Sequence, residues 1–166
     1  DLDVRASSSD IKLQATDGNV SCDLSSGDVD VFDHTGNLSI EGKSSDIRID
    51  GLKGDINFRT SSGDIYVNGV AGSVRARASS GDIRLNTLTA TEGDFDIEAV
   101  SGDVTVEINP EFEGRLSLRT SSGDINPRVS ADIETLSDSR LVASMGEGKG
   151  RLNVATSSGD IRITRY

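Results

Sequence analysis

The sequence predicts an all-β fold, a parallel β-solenoid (β-helix or flattened roll) with two short strands in each coil of about 18–21 residues. Three observations carry this reading: a recurring Ser-Ser-Gly-Asp-Ile signature, an even spacing between its copies, and apolar alternation with period two inside each copy. The signature aspartates fall at positions 10, 28, 46, 64, 82, 103, 124 and 160, and the first four spacings are all 18 residues. A weaker copy lies halfway, in Gly18-Asn19-Val20, Gly36-Asn37-Leu38, Gly54-Asp55-Ile56 and Gly72-Ser73-Val74. Each coil of 18 residues is therefore a pair of nines, one strand to each nine.

The strands follow from the alternation. Ile11 and Leu13, Val29 and Val31, Ile47 and Ile49, Ile65 and Val67, and Ile83 and Leu85 are separated by polar residues, which puts one face of each strand in a core and the other in water. The weaker nines alternate in the same way around Ser21, Ser39, Asn57 and Arg75. Strands of about five residues are then closed by turns in which Gly supplies positive φ and Ser or Asp bonds nearby backbone. An antiparallel sandwich has no reason to repeat Ser-Ser-Gly-Asp at every second strand. A solenoid does, because each strand stacks on its own equivalent and meets the same environment. About eight coils at ~4.8 Å each predict a rod near 40 Å long, wound right-handed by analogy with parallel crossovers.

The rhythm breaks in three places. Spacing lengthens to 21 residues at Asn86 to Gly93 and at Glu107 to Gly114, and the second break, around Asn109-Pro110-Glu111-Phe112, reads as a loop bulging from the rod. Between Asp124 and Asp160 the gap is 36 residues. It holds Pro127, a degenerate Ser130-Ala131-Asp132-Ile133 copy and a Gly-rich run, which predicts an extra coil with a flexible hairpin or loop. No linker composition divides the chain, so residues 1–166 form one domain with an irregular excursion at 128–150.

Composition agrees with a folded repeat protein and excludes several functions. Leu, Ile, Val and Phe number 12, 13, 13 and 4, about a quarter of 166 residues, which is enough for a core. The net charge of −11 repels phosphate backbones, so nucleic acid is excluded as a partner and an anionic membrane surface is a poor one. No apolar run is long enough to span a membrane. One His, one Cys, one Met, no Trp and two Tyr leave little catalytic inventory, and the chain reads as a non-enzyme without cofactor. Cys22 alternates with Val20 and Leu24 and reads as a small core residue. His34 follows Asp33 with no nucleophile motif near it and reads as a surface turn residue.

The signature residues carry a resemblance. Arg59-Thr60-Ser61-Ser62-Gly63-Asp64-Ile65, Arg119-Thr120-Ser121-Ser122-Gly123-Asp124-Ile125 and the closing Gly150-Arg151-Leu152-Asn153-Val154-Ala155-Thr156-Ser157-Ser158-Gly159-Asp160-Ile161 resemble the bacterial β-strand-repeat family labelled as adhesins and otherwise held to be of unknown function. Val106 to Leu116 is similar to that family's loop before the last repeats. The resemblance implies an extracytoplasmic protein of the bacterial cell envelope, with an envelope protein or a surface glycan as partner and no assigned catalytic residue. The chain opens inside a strand, Asp1-Leu2-Asp3-Val4-Arg5, without a cap. This predicts a part of a longer exported protein and end-to-end or edge self-association.

The stacked carboxylates pose the main chemical question. Asp10, Asp28, Asp46, Asp64 and Asp82 would form a column ~4.8 Å apart, in which neighbours repel by about 1 kcal/mol in water. Calcium between coils is one remedy, and these five aspartates are the weak metal candidates of the sequence. The calcium roll repeat, however, has Gly-Gly-x-Gly-x-Asp in each nine, and here a single Gly precedes Asp. The favoured remedy is hydrogen bonding from turn N–H and Ser groups, with Lys12, Arg48 and Arg84 diluting the charge. Carbohydrate cleavage by paired carboxylates needs a cleft lined by aromatics, and Phe32, Phe58, Phe95, Phe112, Tyr66 and Tyr166 are too few to supply it and fill a core. Arg5, Arg59, Arg77 and Arg119 precede the turns on alternate strands; they read first as partners of neighbouring acids and second as a site for anionic glycans.

Overall fold

A computed structural model describes residues 1–88 and 93–166, with backbone alone at 87 and 88. The first coil is β1 (Leu2–Ala6) and β2 (Ile11–Asp17). It is followed by β3 (Val20–Ser26) and β4 (Val29–Thr35), β5 (Leu38–Ser44) and β6 (Ile47–Lys53), and β7 (Ile56–Ser62) and β8 (Ile65–Ala71). Next come β9 (Val74–Ser80) and β10 (Ile83–Leu88), then β11 (Asp94–Ser101) and β12 (Val104–Ile108). The chain continues through β13 (Gly114–Ser122) and β14 (Ile125–Arg128), a hairpin of β15 (Asp132–Ser137) and β16 (Arg140–Met145), and β17 (Gly150–Ser158) and β18 (Ile161–Arg165). The break expected at Asn86 to Gly93 lies largely outside the described residues.

Two sheets face each other, as a parallel solenoid requires. The long sheet has the order β1-β3-β5-β7-β9-β11-β17-β13-β16-β15, and the short sheet β14-β18-β12-β10-β8-β6-β4-β2. Every pairing is parallel except those made by β16, which runs antiparallel to both β13 and β15. Eight coils stack, but not in chain order. The last coil, β17 and β18, sits between the sixth coil and the one formed by β13 and β14. Leu152 and Val154 of β17 pair with Phe95 and Ile97 on one side and with Leu116 and Leu118 on the other. Residues 128–150 are not an extra coil. They lead into the β15–β16 hairpin, which closes the long sheet at that end.

Strands β2 to β9 each run to seven residues, longer than the alternation alone predicts. In the short sheet the cause is a column of left-handed residues, Ala15, Asp33, Gly51 and Gly69, with φ of 51°, 52°, 78° and 70°. The kink turns the next residue inward, which adds Thr16, His34, Leu52 and Val70 as a third inward column. At the Ser-Gly-Asp turns Gly is required by stacking as well as by φ. A Cβ on Gly63 would stand 2.2 Å from the Ser45 carbonyl oxygen, and one on Gly81 2.2 Å from that of Gly63.

The core is a stack of columns along the rod. Phe58 lies in register between Ile40 and Ala76, a large residue beside a small one. The loop after β12 does not bulge outward: Asn109 caps Glu111 and Phe112, and Phe112 is buried against Phe95 with ring centroids 5.9 Å apart. Thr60, Thr120 and Thr156 are buried with their hydroxyls donating to the carbonyls of Ser62, Gly159 and Gly102. Inward Leu141, Ala143 and Met145 of β16 are covered, whereas Ile133 and Leu136 of β15 overhang the end of the short sheet and stay 55% and 66% exposed.

Candidate functional site

The aspartate column forms a ladder along one edge of the rod. Each carboxylate Oδ1 accepts the backbone N–H of the aspartate stacked on it: Asp10 from Asp28 at 3.0 Å, Asp28 from Asp46 at 3.3 Å, Asp46 from Asp64 and Asp64 from Asp82 at 2.8 Å. Asp82 accepts from Asp103 at 2.9 Å, Asp103 from Asp160 at 2.8 Å, and Asp160 from Asp124 at 2.9 Å. The opposite edge repeats the device with Asn19, Asn37 and Asp55 accepting from Asn37, Asp55 and Ser73. These bonds offset the like-charge repulsion directly. Of the three cations expected to dilute it, Arg84 pairs with Asp82 at 2.9 Å. Lys12 and Arg48 lie instead over the rings of Phe32 and Tyr66, 5.4 and 5.5 Å from the centroids. Among the described residues no group of three or more His, Cys, Asp and Glu converges as a metal site would need.

His34 corrects the expectation of a surface turn: it is 1% exposed. Asp33 takes the kink, so His34 occupies the inward column of Leu52 and Val70. Its Nδ1 shares a hydrogen bond with the Thr16 hydroxyl at 2.8 Å, and Nε2 is buried without a partner among the described residues. The 18-residue register with Leu52 is the signal that reveals it. Cys22 is buried as expected, in register between Val4 and Ile40. Desolvation, helped by the negative charge of Asp3, pushes its thiol above the ordinary range.

The outer face of the long sheet carries two grooves that run along the rod, of about 720 and 780 Å³. Neither is lined by an aromatic ring. The first lies over the small residues Gly42, Thr60, Ala78 and Ala99, between a charged wall and a serine wall. The arginine set of the sequence divides here. Arg5 pairs with Asp3 at 2.9 Å, and Arg77 with Glu98 at 2.8 Å, with Asp96 at 3.8 Å. The hydrogen bond to Glu98 and its charge hold the Arg77 guanidinium above its ordinary pKa. Arg59 and Arg119 line the first groove with no ion pair among the described residues.

The ladders and coils define the protein as a parallel β-solenoid repeat protein, and no helix of the described residues is long and apolar enough to cross a membrane. The chain belongs to the Toastrack DUF4097 family, a β-repeat domain of unknown function, whose sequence model matches residues 1–164. No curated protein and no solved structure matches the chain.

Proposed function

We propose that the protein is a non-enzymatic, extracytoplasmic β-solenoid of a bacterial cell envelope, acting as a rigid spacer and interaction surface in the manner of an adhesin. Its partner is an envelope protein or a surface glycan. The observation that supports a scaffold is the unbroken ladder: seven aspartate-to-N–H bonds run through eight coils. Each of these bonds ties one coil to the next along the rod. Against catalysis stands the burial of both His34 and Cys22, away from either groove.

Two measurements test this. Fractionation of cells that make the native protein is expected to recover it with periplasmic or surface markers, and recovery with cytosolic markers would remove the envelope role. A circular dichroism melt is expected to be the same with chelator and with millimolar calcium. A transition that appears or rises strongly only with calcium would make the aspartate column a metal site.

A further inference from the structure

The two grooves differ in sign on a chain of net charge −11. The second holds Arg5 and Arg75 against five aspartates, whereas the first gathers Lys43, Arg59, Arg77 and Arg119 against Asp23, Glu41 and Glu98. About a quarter of the 17 basic side chains thus stand along one groove, where they outnumber the acids by one, four to three. Arg59 on β7 and Arg119 on β13 are four strand steps apart in the sheet, about 19 Å at the usual ~4.8 Å spacing. Both guanidiniums are free of ion pairs among the described residues, Glu41 standing in register beside Arg59, and the facing wall offers hydroxyls from Ser61 and Ser79 and, past the exposed Val100 on β11, from Ser157 and Ser121.

The chemistry of this groove selects its occupant. Its floor strands are central in the sheet, so their backbone groups are already paired on both sides and give an extended peptide nothing to pair with. Neutral sugars are held largely by stacking on aromatic rings, and no ring lines the groove. A polymer with regularly spaced anions and many hydroxyls satisfies both walls. We infer that this groove binds a linear anionic polysaccharide, its carboxylate or sulfate groups paired with Arg59 and Arg119 and its hydroxyls with the serine wall. The inference rests on the reading of the protein as an interaction surface and names the class of ligand.

The test is titration of the purified full chain at low ionic strength with an oligogalacturonate, which carries carboxylates, and with a heparin oligosaccharide, which carries sulfates. At least one is expected to bind, with affinity that falls steeply as salt is added. The pair Arg59→Ala and Arg119→Ala should weaken binding by about tenfold or more, while Arg75→Ala in the second groove leaves it unchanged. Glu98→Gln, which releases Arg77, should strengthen it. All four substitutions lie on exposed side chains and are expected to leave the melting temperature near that of the parent, so a loss of binding is not a loss of fold. Failure of both oligosaccharides to bind, or equal binding by the double variant, would overturn the proposal. So would equal binding of polyglutamate, which would make the groove a site for acidic peptides. Recovery from the envelope together with blindness to both oligosaccharides would remove the glycan groove alone and leave the scaffold reading standing.

Discussion

The backbone N–H of Asp160 donates to the carboxylate of Asp103 at 2.8 Å, across 57 residues of chain. Asp160 in turn accepts from Asp124, which precedes it by 36 residues. The C-terminal coil therefore fills a space one coil wide that the chain left open when it passed from β12 to β13. Until it arrives, the inward columns at Ile97 and Leu118 have no neighbour between them.

That insertion makes the last coil as important to stability as a middle one. Val154→Asp and Ile65→Asp each place an unpaired carboxylate in the core, where Val154 and Ile65 are both 1% exposed. Each is expected to cost about 4 kcal/mol or more and to abolish the folded β spectrum at room temperature. A Val154→Asp variant that melts like the parent would show that the last coil frays independently of the rod.

The ladder predicts a contrast at Asp64. Asparagine keeps an oxygen able to accept the Asp82 N–H, as Asn19 and Asn37 do on the other edge. Asp64→Asn should therefore change the urea midpoint little, while Asp64→Ala should lose about 0.5–1.5 kcal/mol. Equal losses from both would mean that charge, rather than the hydrogen bond, matters there.

Ser45 replaces the turn glycine of its repeat, and Gly42 compensates. A Cβ on Gly42 would stand 3.0 Å from the Ser45 Cβ and 3.1 Å from its buried, unpartnered Oγ. Gly42→Ala is expected to destabilise by about 1–3 kcal/mol, and adding Ser45→Gly should recover most of that. Thermal melts of the two single variants and the double variant measure the coupling, and strict additivity would disprove it.

At His34 the buried Nε2 is unpartnered, and the next coil has Leu52 at the same place. His34→Leu removes that polar atom, and the half-buried Thr16 hydroxyl can turn to water. A gain of about 1 kcal/mol or more in chemical denaturation is expected. A loss would mean that the bond to Thr16 outweighs the orphaned nitrogen.

Cys22 predicts a pH effect. Its thiol pKa is raised by burial and by Asp3, so the unfolded chain releases this proton first as pH rises. The thiol's contribution is full below the ordinary thiol range of about 8.5 and is lost as pH climbs through the raised folded value. Cys22→Val should flatten the fall in denaturation midpoint above about pH 8.5 relative to the parent. Identical slopes would contradict this.

Strand alternation, turn glycines and the 18-residue register were legible in the sequence because each depends on neighbours along the chain or on its own repeat. The inward place of His34 was written there too, in the register of Asp33-His34 with Gly51-Leu52, but alternation alone misses it because the left-handed kink shifts the period by one residue. The sign difference between the grooves was not legible. It depends on which arginines close an ion pair with the acid of the adjacent strand, as Arg77 does with Glu98 and Arg59 does not with its register partner Glu41.

The sequence by itself determined the coil, with its two strands, its dry and wet faces and its stacked turns. Only the tertiary structure decided the order of the coils and the end of the rod. Coils built on one repeat present nearly the same pairing edge and apolar columns, so β13 and β17 are locally interchangeable beside β11. The choice between them falls to the long connection and the β15–β16 hairpin, whose antiparallel pairing with β13 is satisfied only at the end of the sheet.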